Sequence, residues 1–332
     1  MTVVAVLAAL GLAVALGAGD APNATATLVA TKLGRPAQVK ALSFASHLAG
    51  GLLGGTAVAR TITSILDLPA NEVAEAYAGA CLAAVAFMAL CAWAGIPASA
   101  SYGLIGGLVG AGVVAEGWDA IDWGGVEGLR PVGVIGALVG LLLTPIAGVA
   151  VAAALRASLV RGLRRGSQRL RPATDAGLWV TAATVGFAGG SNDGQKSMGL
   201  IVGAIVAAGW IDDDGGIPFG VRAVVAVALA SATVLVGRRI AITVGRRFYR
   251  VRPIEGLAAQ GAAAAVILAS GAVGAPVSTS NVVTAGVIGV GADHRPRHVR
   301  WLRVYEVGGA WALSVPACGV LGALVTWALR LV

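Results

Sequence analysis

Hydrophobic residues along this chain are gathered into long runs that short polar segments separate. About ten of these runs are long enough, or nearly long enough, to cross a bilayer as a helix, because the hydrocarbon core needs about 20 apolar residues. They lie near residues 1–31, 41–59, 73–94, 96–114, 131–157, 177–209, 219–237, 257–274, 275–292 and 301–330. The pattern therefore predicts an all-α membrane protein with about ten transmembrane segments.

The polar segments between the runs are of two kinds. Lys and Arg gather near residues 32–40, 156–171, 238–252 and 295–303, whereas the segments near 67–72, 116–127 and 212–214 are neutral or acidic. Basic loops stay in the cytoplasm, and with an outside N-terminus the runs then alternate sides without contradiction. Five runs in each half predict two repeats of inverted topology, residues 1–160 and 173–332, joined by a basic cytoplasmic linker at 161–172.

Two short motifs recur in the two halves in the same order. The segment Gly-Ala-Gly-Asp-Ala-Pro-Asn-Ala at 17–24 is echoed by Gly-Ser-Asn-Asp-Gly-Gln-Lys-Ser at 190–197, and Ile-Pro-Ala-Ser-Ala-Ser at 96–101 by Ala-Pro-Val-Ser-Thr-Ser at 275–280. The paired aspartates are 173 residues apart and the paired prolines 179. Such similar spacing independently supports an internal repeat.

Asp20 and Asp193 are carboxylates inside apolar runs, where a charge costs about 2.5–3.5 kcal/mol and persists only with a function. The neighbouring glycines predict an unwound turn inside the membrane, which would free carbonyls for a cation and amides for an anion. Alternatively, the aspartates cap broken helices. Lys196 stands at the position that matches Asn23. It would replace a bound cation, contact the anion, or extend to the membrane surface.

The second motif lies where the chain must break. Residues 256–292 contain no Asp, Glu, Lys or Arg. A single helix of this length would measure roughly 55 Å, far more than the ~30 Å hydrocarbon core, so we predict a break near Pro276. Hydroxyl groups beside the new helix N-terminus are well placed to bind an oxyanion. The alternative is that they only hydrogen-bond back to carbonyls of their own helix.

Other chemistry is sparse. The chain has three histidines, of which His47 lies in an apolar run and would either relay protons or simply pack. We find no nucleophile–base pair and no nucleotide-binding loop, so an enzyme or an ATP-driven pump is not expected. The three cysteines fit no metal spacing. The net charge of +8 is explained by cytoplasmic loops rather than by nucleic-acid binding.

Nearly the whole chain resembles the inorganic phosphate transporter (PiT) family, most strongly in its second half. The resemblance is carried by Gly-Ser-Asn-Asp-Gly-Gln-Lys-Ser-Met-Gly at 190–199, Ala-Pro-Val-Ser-Thr-Ser at 275–280, Val-Ile-Gly-Val-Gly-Ala at 287–292 and His-Val-Arg-Trp at 298–301. It implies a symporter with inverted repeats that carries phosphate between them, together with sodium ions or protons. The Gly-Ser-Asn-Asp-Gly-Gln-Lys form is similar to bacterial members thought to use protons and to accept metal–phosphate complexes.

The motifs and the resemblance together select the candidate site residues. The substrate-binding candidates are Ser99, Ser101, Asn192, Ser278, Thr279 and Ser280. The ion-coupling candidates are Asp20, Asn23, Asp193, Gln195 and Lys196, and Asp20 and Asp193 are the positions at which sodium would bind.

The chain also departs from the family pattern. Family members usually carry Asn at position 19, Thr at 100 and His at 102 and 281, where this chain has Gly19, Ala100, Tyr102 and Asn281. Glutamates common in the family correspond to Ser46 and Gln260. The absence of these two carboxylates favours protons over sodium as the coupling ion.

The sequence therefore predicts a phosphate symporter of the cell inner membrane that works by alternating access. A transporter of sulfate or another tetrahedral oxyanion is the alternative, although sulfate cannot donate a proton to an acceptor-rich site as phosphate can. We expect no cofactor and no nucleic acid. The expected partners are inorganic phosphate, free or as a metal–phosphate complex, and the lipid bilayer, while a homo-oligomer remains open.

Overall fold

A computed structural model describes residues 1–94, 98–163, 171–247, 252–294, 297 and 299–331 of the chain. Side chains are described for all of these except residues 20–23, 163, 171, 236–247, 294 and 303. The helices are α1 (Thr2–Thr31), α2 (Pro36–Leu53), α3 (Ala57–Thr63), α4 (Ala70–Ala94), α5 (Ala100–Glu116), α6 (Gly133–Leu163), α7 (Arg171–Ala207), α8 (Phe219–Arg247), α9 (Pro253–Ala272), α10 (Thr279–His294) and α11 (Trp301–Leu329).

The loop between α5 and α6 contains the described β-structure. Strands β1 (Gly125–Glu127) and β2 (Arg130–Val132) form a small antiparallel pair. The prediction of an all-α protein is wrong in this detail. Gly128 has a φ of +64° at the turn, a conformation that glycine adopts without strain, and it lets the polar loop fold back on itself.

Five helices in the described part of the chain are long and apolar enough to span a membrane. The number rises to six if α2 and α3 count as one broken span, since they meet at an angle of 72°. The run at 41–59 is therefore not one continuous helix, because Gly54 and Gly55 are poor helix formers and end α2 early. A helical membrane protein is confirmed, while the count of about ten crossings stays a prediction.

Helices α1 and α7 run without interruption through both aspartate motifs. The predicted unwound turns, and the alternative that the aspartates cap broken helices, are therefore both wrong. The glycines serve close packing instead. A Cβ at Gly17 would lie 2.2 Å from the Leu229 carbonyl oxygen, and one at Gly190 would lie 2.3 Å from that of His47. Only a residue without a side chain allows backbones to approach so closely.

The break predicted near Pro276 is confirmed. Helix α9 ends at Ala272 and α10 begins at Thr279, so the two form a hairpin whose tip contains the proline. Helices α4 and α5 form a second hairpin, of which Pro97 lies outside the described residues. The two tips meet, because the Ser99 Oγ atom lies 3.0 Å from the Ser278 Oγ atom.

The last helix of each half covers the hairpin of the other half. Helix α6 packs against α9 and α10, and α11 packs against α4 and α5. Large apolar side chains point outward from the long helices, among them Leu7, Leu142, Ile146, Leu313 and Leu324, each more than half exposed. In a chain this apolar, such an exposed surface faces lipid rather than water.

Tyr102 donates a hydrogen bond to a carbonyl of α6 that has no N–H partner in its own helix. Pro145 lies inside this helix and has no N–H group for the Leu141 carbonyl one turn earlier. The Tyr102 hydroxyl donates to that oxygen over 2.9 Å, whereas the Thr144 hydroxyl is 3.5 Å away. Tyr102 therefore links α5 to α6 one turn before Pro145.

Replacing Tyr102 by phenylalanine should lower the free energy of unfolding by about 1–3 kcal/mol, because it leaves the buried Leu141 carbonyl with only the Thr144 hydroxyl, 3.5 Å away. Denaturant titration of the purified protein in detergent measures the change. Tyr305→Phe is the matched control, since that side chain is 73% exposed. Equal stability of the two variants would contradict the assigned role of Tyr102.

Candidate functional site

A buried ion pair lies where α7 passes the two hairpin tips. The Lys196 ammonium is 2.7 Å from Asp193 Oδ1, three residues earlier on the same helix, and their side chains are 0% and 3% exposed. Two charges removed from solvent cost several kcal/mol unless further hydrogen bonds satisfy them. The neighbouring groups supply these bonds.

Lys196 uses each of its three N–H donors on a different element. Besides Asp193 on α7, the ammonium donates to the Ser101 hydroxyl of the first hairpin over 2.7 Å. It also donates to the Val277 carbonyl of the second hairpin over 2.5 Å. The predicted alternative in which this lysine extends to the membrane surface is wrong. The cation instead joins both hairpin tips to α7.

Asp193 is satisfied by two partners of different kinds. Its Oδ1 atom accepts from Lys196, and its Oδ2 atom accepts from the Thr279 hydroxyl over 3.1 Å. Thr279 is the first residue of α10. The carboxylate thereby ties the start of α10 to the middle of α7.

The serine hydroxyls connect the two hairpins across their tips. Ser99 donates to Ser278 over 3.0 Å, and Ser101 donates to the Val277 carbonyl over 3.1 Å. These bonds run between hairpins and not back into one helix, so the back-bonding alternative is wrong for these residues. Ser280 lies in the first turn of α10 and is partly exposed.

The hydroxyl groups lie at two helix N-termini. Ser99 immediately precedes α5 and Ser278 immediately precedes α10, and both side chains are 1% exposed. Helix N-termini carry unpaired N–H groups and partial positive charge, and both favour an oxyanion. The Lys196 ammonium adds a full positive charge beside them. The arrangement is chemically suited to binding a tetrahedral oxyanion between the tips.

Asn192 and Gln195 hold the backbone around this cluster. The Asn192 amide donates to the Ala275 carbonyl over 3.2 Å and accepts from the Val277 N–H over 3.0 Å. The Gln195 side chain accepts from the Val58 N–H over 2.9 Å, just beyond the bend between α2 and α3. Asn192 therefore fixes the second hairpin tip, and Gln195 fixes the start of α3.

Two of the predicted coupling residues cannot be placed in the site. Asp20 and Asn23 belong to α1, but their side chains lie outside the described residues, so a role in binding sodium stays a prediction. Next to them, the buried Gln260 donates to the Ala24 carbonyl over 2.6 Å. Gln260 therefore places a neutral amide, bound to α1, beside the Asp20 motif.

His47 lies on α2, and the two interpretations of it, proton relay and packing, both stay predictions. The residue is 2% exposed, and its Nδ1 atom is 2.7 Å from the Ser43 carbonyl oxygen. The imidazole ring lies against Gly186 and Gly189 of α7, where an added Cβ would be 3.3 Å from His47 Cε1 and 3.6 Å from His47 Nε2.

Comparisons with known proteins agree on one family. A model of the phosphate transporter family matches residues 16–174 and 162–322. A probable low-affinity inorganic phosphate transporter of Bacillus subtilis (strain 168) is 30% identical, over 100% of this chain and 98% of its own length. A Mycobacterium bovis protein of the same description is 35% identical, over 97% of this chain and 76% of its own length.

A solved structure titled as the sodium-dependent phosphate transporter has the same fold. It superposes with a TM-score of 0.84 and 18% identity, covering 100% of this chain and 99% of its own. The relatives are described as transporters and not as enzymes, which confirms that prediction. On the family match and the full-length relatives, this chain is a multi-pass membrane protein that belongs to the phosphate transporter family.

Proposed function

We propose that this protein is a symporter that moves inorganic phosphate across the cell inner membrane by alternating access, driven by protons rather than sodium. The observation that carries the proposal is the buried Asp193–Lys196 pair, which is bonded to both hairpin tips. A charged pair in this position is costly to keep and is expected where ions or charged substrates are handled.

The proposed architecture is two inverted repeats, residues 1–160 and 173–332, with about ten crossings and a cytoplasmic linker at 161–172. Three observations support it. The tips of the two hairpins meet through serines 179 residues apart. Helices α6 and α11 each cover the hairpin of the opposite half. The family model matches the two halves separately, at 16–174 and 162–322.

Phosphate would bind between the hairpin tips. The hydroxyls of Ser99, Ser101, Ser278, Thr279 and Ser280 would donate to its oxygens, together with N–H groups at the starts of α5 and α10. Binding would replace the hydrogen bond between Ser99 and Ser278, so the anion would separate the two hairpin tips. We propose that this separation controls the access of the site to the two sides of the membrane. Asn192 would hold the second tip in position.

Phosphate is favoured over sulfate for a chemical reason. At neutral pH phosphate keeps at least one proton and can donate it, whereas sulfate can only accept hydrogen bonds. The site contains acceptors such as the Asp193 carboxylate and the Val277 carbonyl. The descriptions of the relatives name phosphate as well, and none of the comparisons favours sulfate.

Proton coupling is favoured by the fixed internal cation. The Lys196 ammonium neutralises Asp193 at 2.7 Å, so this carboxylate does not need a sodium ion to be stable in the membrane. Gln260 and Ser46, at positions where the family resemblance leads one to expect glutamates, bring no negative charge for sodium.

Uptake of radiolabelled phosphate into proteoliposomes tests the proposal. An inward proton gradient without sodium should drive accumulation, because the site already holds its cation. A sodium gradient at equal pH on both sides should drive none, and an excess of sulfate should not compete. Strict dependence on sodium would overturn the coupling proposal. Uptake of sulfate in preference to phosphate would overturn the substrate.

A further inference from the structure

The membrane interior contains one described histidine that the binding site does not use. His47 lies on α2 and is 2% exposed. Its Nδ1 atom is 2.7 Å from the Ser43 carbonyl oxygen, one helical turn earlier. A carbonyl can only accept, so Nδ1 carries the proton of the neutral ring and Nε2 carries a lone pair. Nε2 is therefore the atom that can take up a proton.

The Nε2 atom and the site share a small space beside α7. Gly189 has no side chain, and a Cβ placed on it would lie 3.6 Å from His47 Nε2 and 3.4 Å from Thr279 Oγ1. Thr279 in turn donates to Asp193 Oδ2 over 3.1 Å. The imidazole and the hydroxyl that joins α10 to the ion pair therefore both lie against the Gly189 position of α7.

Few charged side chains are described on the helices around His47. On α7, Asp193 lies one helical turn after Gly189, which borders the His47 ring, and the Lys196 ammonium is bonded to three acceptors. From α8, Arg222 bonds to the Gly54 carbonyl, about 10 Å along α2 from His47. The first turn of α10 has no ionisable residue. Helix α1 also touches α2, and the Asp20 side chain is outside the described residues.

Resting on the proposed function, we infer that His47 is the residue that binds the coupling proton, at Nε2, beside the Thr279–Asp193 contact. The proton is taken from water on one side of the membrane and returned to water on the other, and the ring ends each cycle neutral. The imidazolium adds a positive charge next to the anion site. Proton and phosphate then strengthen each other's binding, which is the requirement for symport.

Asp193 is the other residue of this cluster that could bind the coupling proton, and the geometry disfavours it. A proton on Asp193 would neutralise the partner of a fully buried ammonium, and breaking such a pair costs several kcal/mol. Protonation of His47 at Nε2 keeps the described bond from Nδ1 to Ser43 intact. The imidazole can therefore gain and lose a proton while the ion pair stays formed.

The test separates net proton movement from phosphate movement. His47→Gln and His47→Asn remove the titratable ring, and the Asn amide can still donate toward the Ser43 carbonyl. Both variants should keep phosphate–phosphate exchange, which needs no net proton flow. In both variants, the phosphate accumulation that a pH gradient drives should fall about tenfold or more, since proton binding and phosphate binding are no longer coupled. An internal pH dye should record no proton uptake with phosphate. Leu53→Ala, at an exposed position on α2, is the control.

Accumulation and proton uptake equal to the parent's in both variants would overturn the inference and leave His47 as a packing residue. Failure of the parent to use a proton gradient would instead overturn the proposed coupling. Should the variants not fold, NMR of the parent labelled with ¹⁵N-histidine decides. Phosphate addition near neutral pH should convert His47 to imidazolium, and a ring that stays neutral contradicts the inference.

Discussion

Replacing Lys196 by methionine should abolish phosphate transport and lower the free energy of unfolding by about 3–5 kcal/mol. The methionine side chain fills a similar volume but leaves the Asp193 carboxylate buried without its cation. It also leaves Ser101 and the Val277 carbonyl without their donor. Uptake into proteoliposomes and denaturant titration in detergent measure the two effects.

The double variant Asp193→Asn with Lys196→Met separates the two effects. With both charges removed, no unpaired charge remains in the interior, so most of the stability should return. Transport should stay absent, because the anion site has lost its positive charge. A single variant as stable as the parent would contradict the buried pair, and a double variant that transports would show the pair to be dispensable.

Lys196→Asn tests whether the lysine takes the place of a bound sodium ion beside Asp193. Asparagine occupies the matching position, Asn23, in the first half of the chain. The variant leaves Asp193 uncompensated, so it should be inactive in sodium-free buffer or should acquire a requirement for sodium. Strict sodium dependence of the parent, unchanged in the variant, would show that Lys196 does not stand in for a bound cation.

Gly190→Val should prevent the chain from reaching a stable folded state. A Cβ at this position would lie 2.3 Å from the His47 carbonyl oxygen and 2.7 Å from its Cα atom. Both are backbone atoms of a helix, so α2 and α7 would have to separate, which costs more than the 1–3 kcal/mol typical of about one or two extra methylenes. Size-exclusion chromatography of the detergent extract measures the fraction that stays monodisperse.

Gly309→Val is the matched control for that substitution. Gly309 lies on α11, and a Cβ placed on it would meet no described atom within 4 Å, so valine should be tolerated there. Equal yields of the two variants would show that the contact between α2 and α7 is not tight. A folded Gly190 variant would still displace His47, and its proton-driven uptake would then fall more than its phosphate exchange.

The hairpin tips could be predicted from the sequence because their cause is local. The uncharged run at 256–292 is too long for one helix, and Pro276 marks where it turns. The serines of the two motifs have matching spacing, and an internal repeat brings such positions together around its axis. The contact of Ser99 with Ser278 is the result.

Other features depend on contacts that no local pattern encodes. The glycines near Asp193 are equally compatible with a broken helix and with a close approach, and only the neighbour at Gly190 decides between them. Likewise, the partners of Lys196 include Ser101 and Val277, which are 95 and 81 residues away. A sequence motif indicates that a charge is buried, but the groups that stabilise it are set by the packing of distant helices.

The three hydrogen bonds of the Lys196 ammonium affect how readily a transporter of this kind would leak ions and substrate. A carrier that opened to both sides at once would act as a channel and dissipate the gradients that drive it. Each hairpin holds one of the N–H groups of Lys196, so moving one hairpin leaves one buried donor to be satisfied again, and moving both leaves two. In the proposed alternating-access cycle, an arrangement with both hairpins displaced would therefore be the least stable one. Lys196 would thereby make slippage energetically unfavourable.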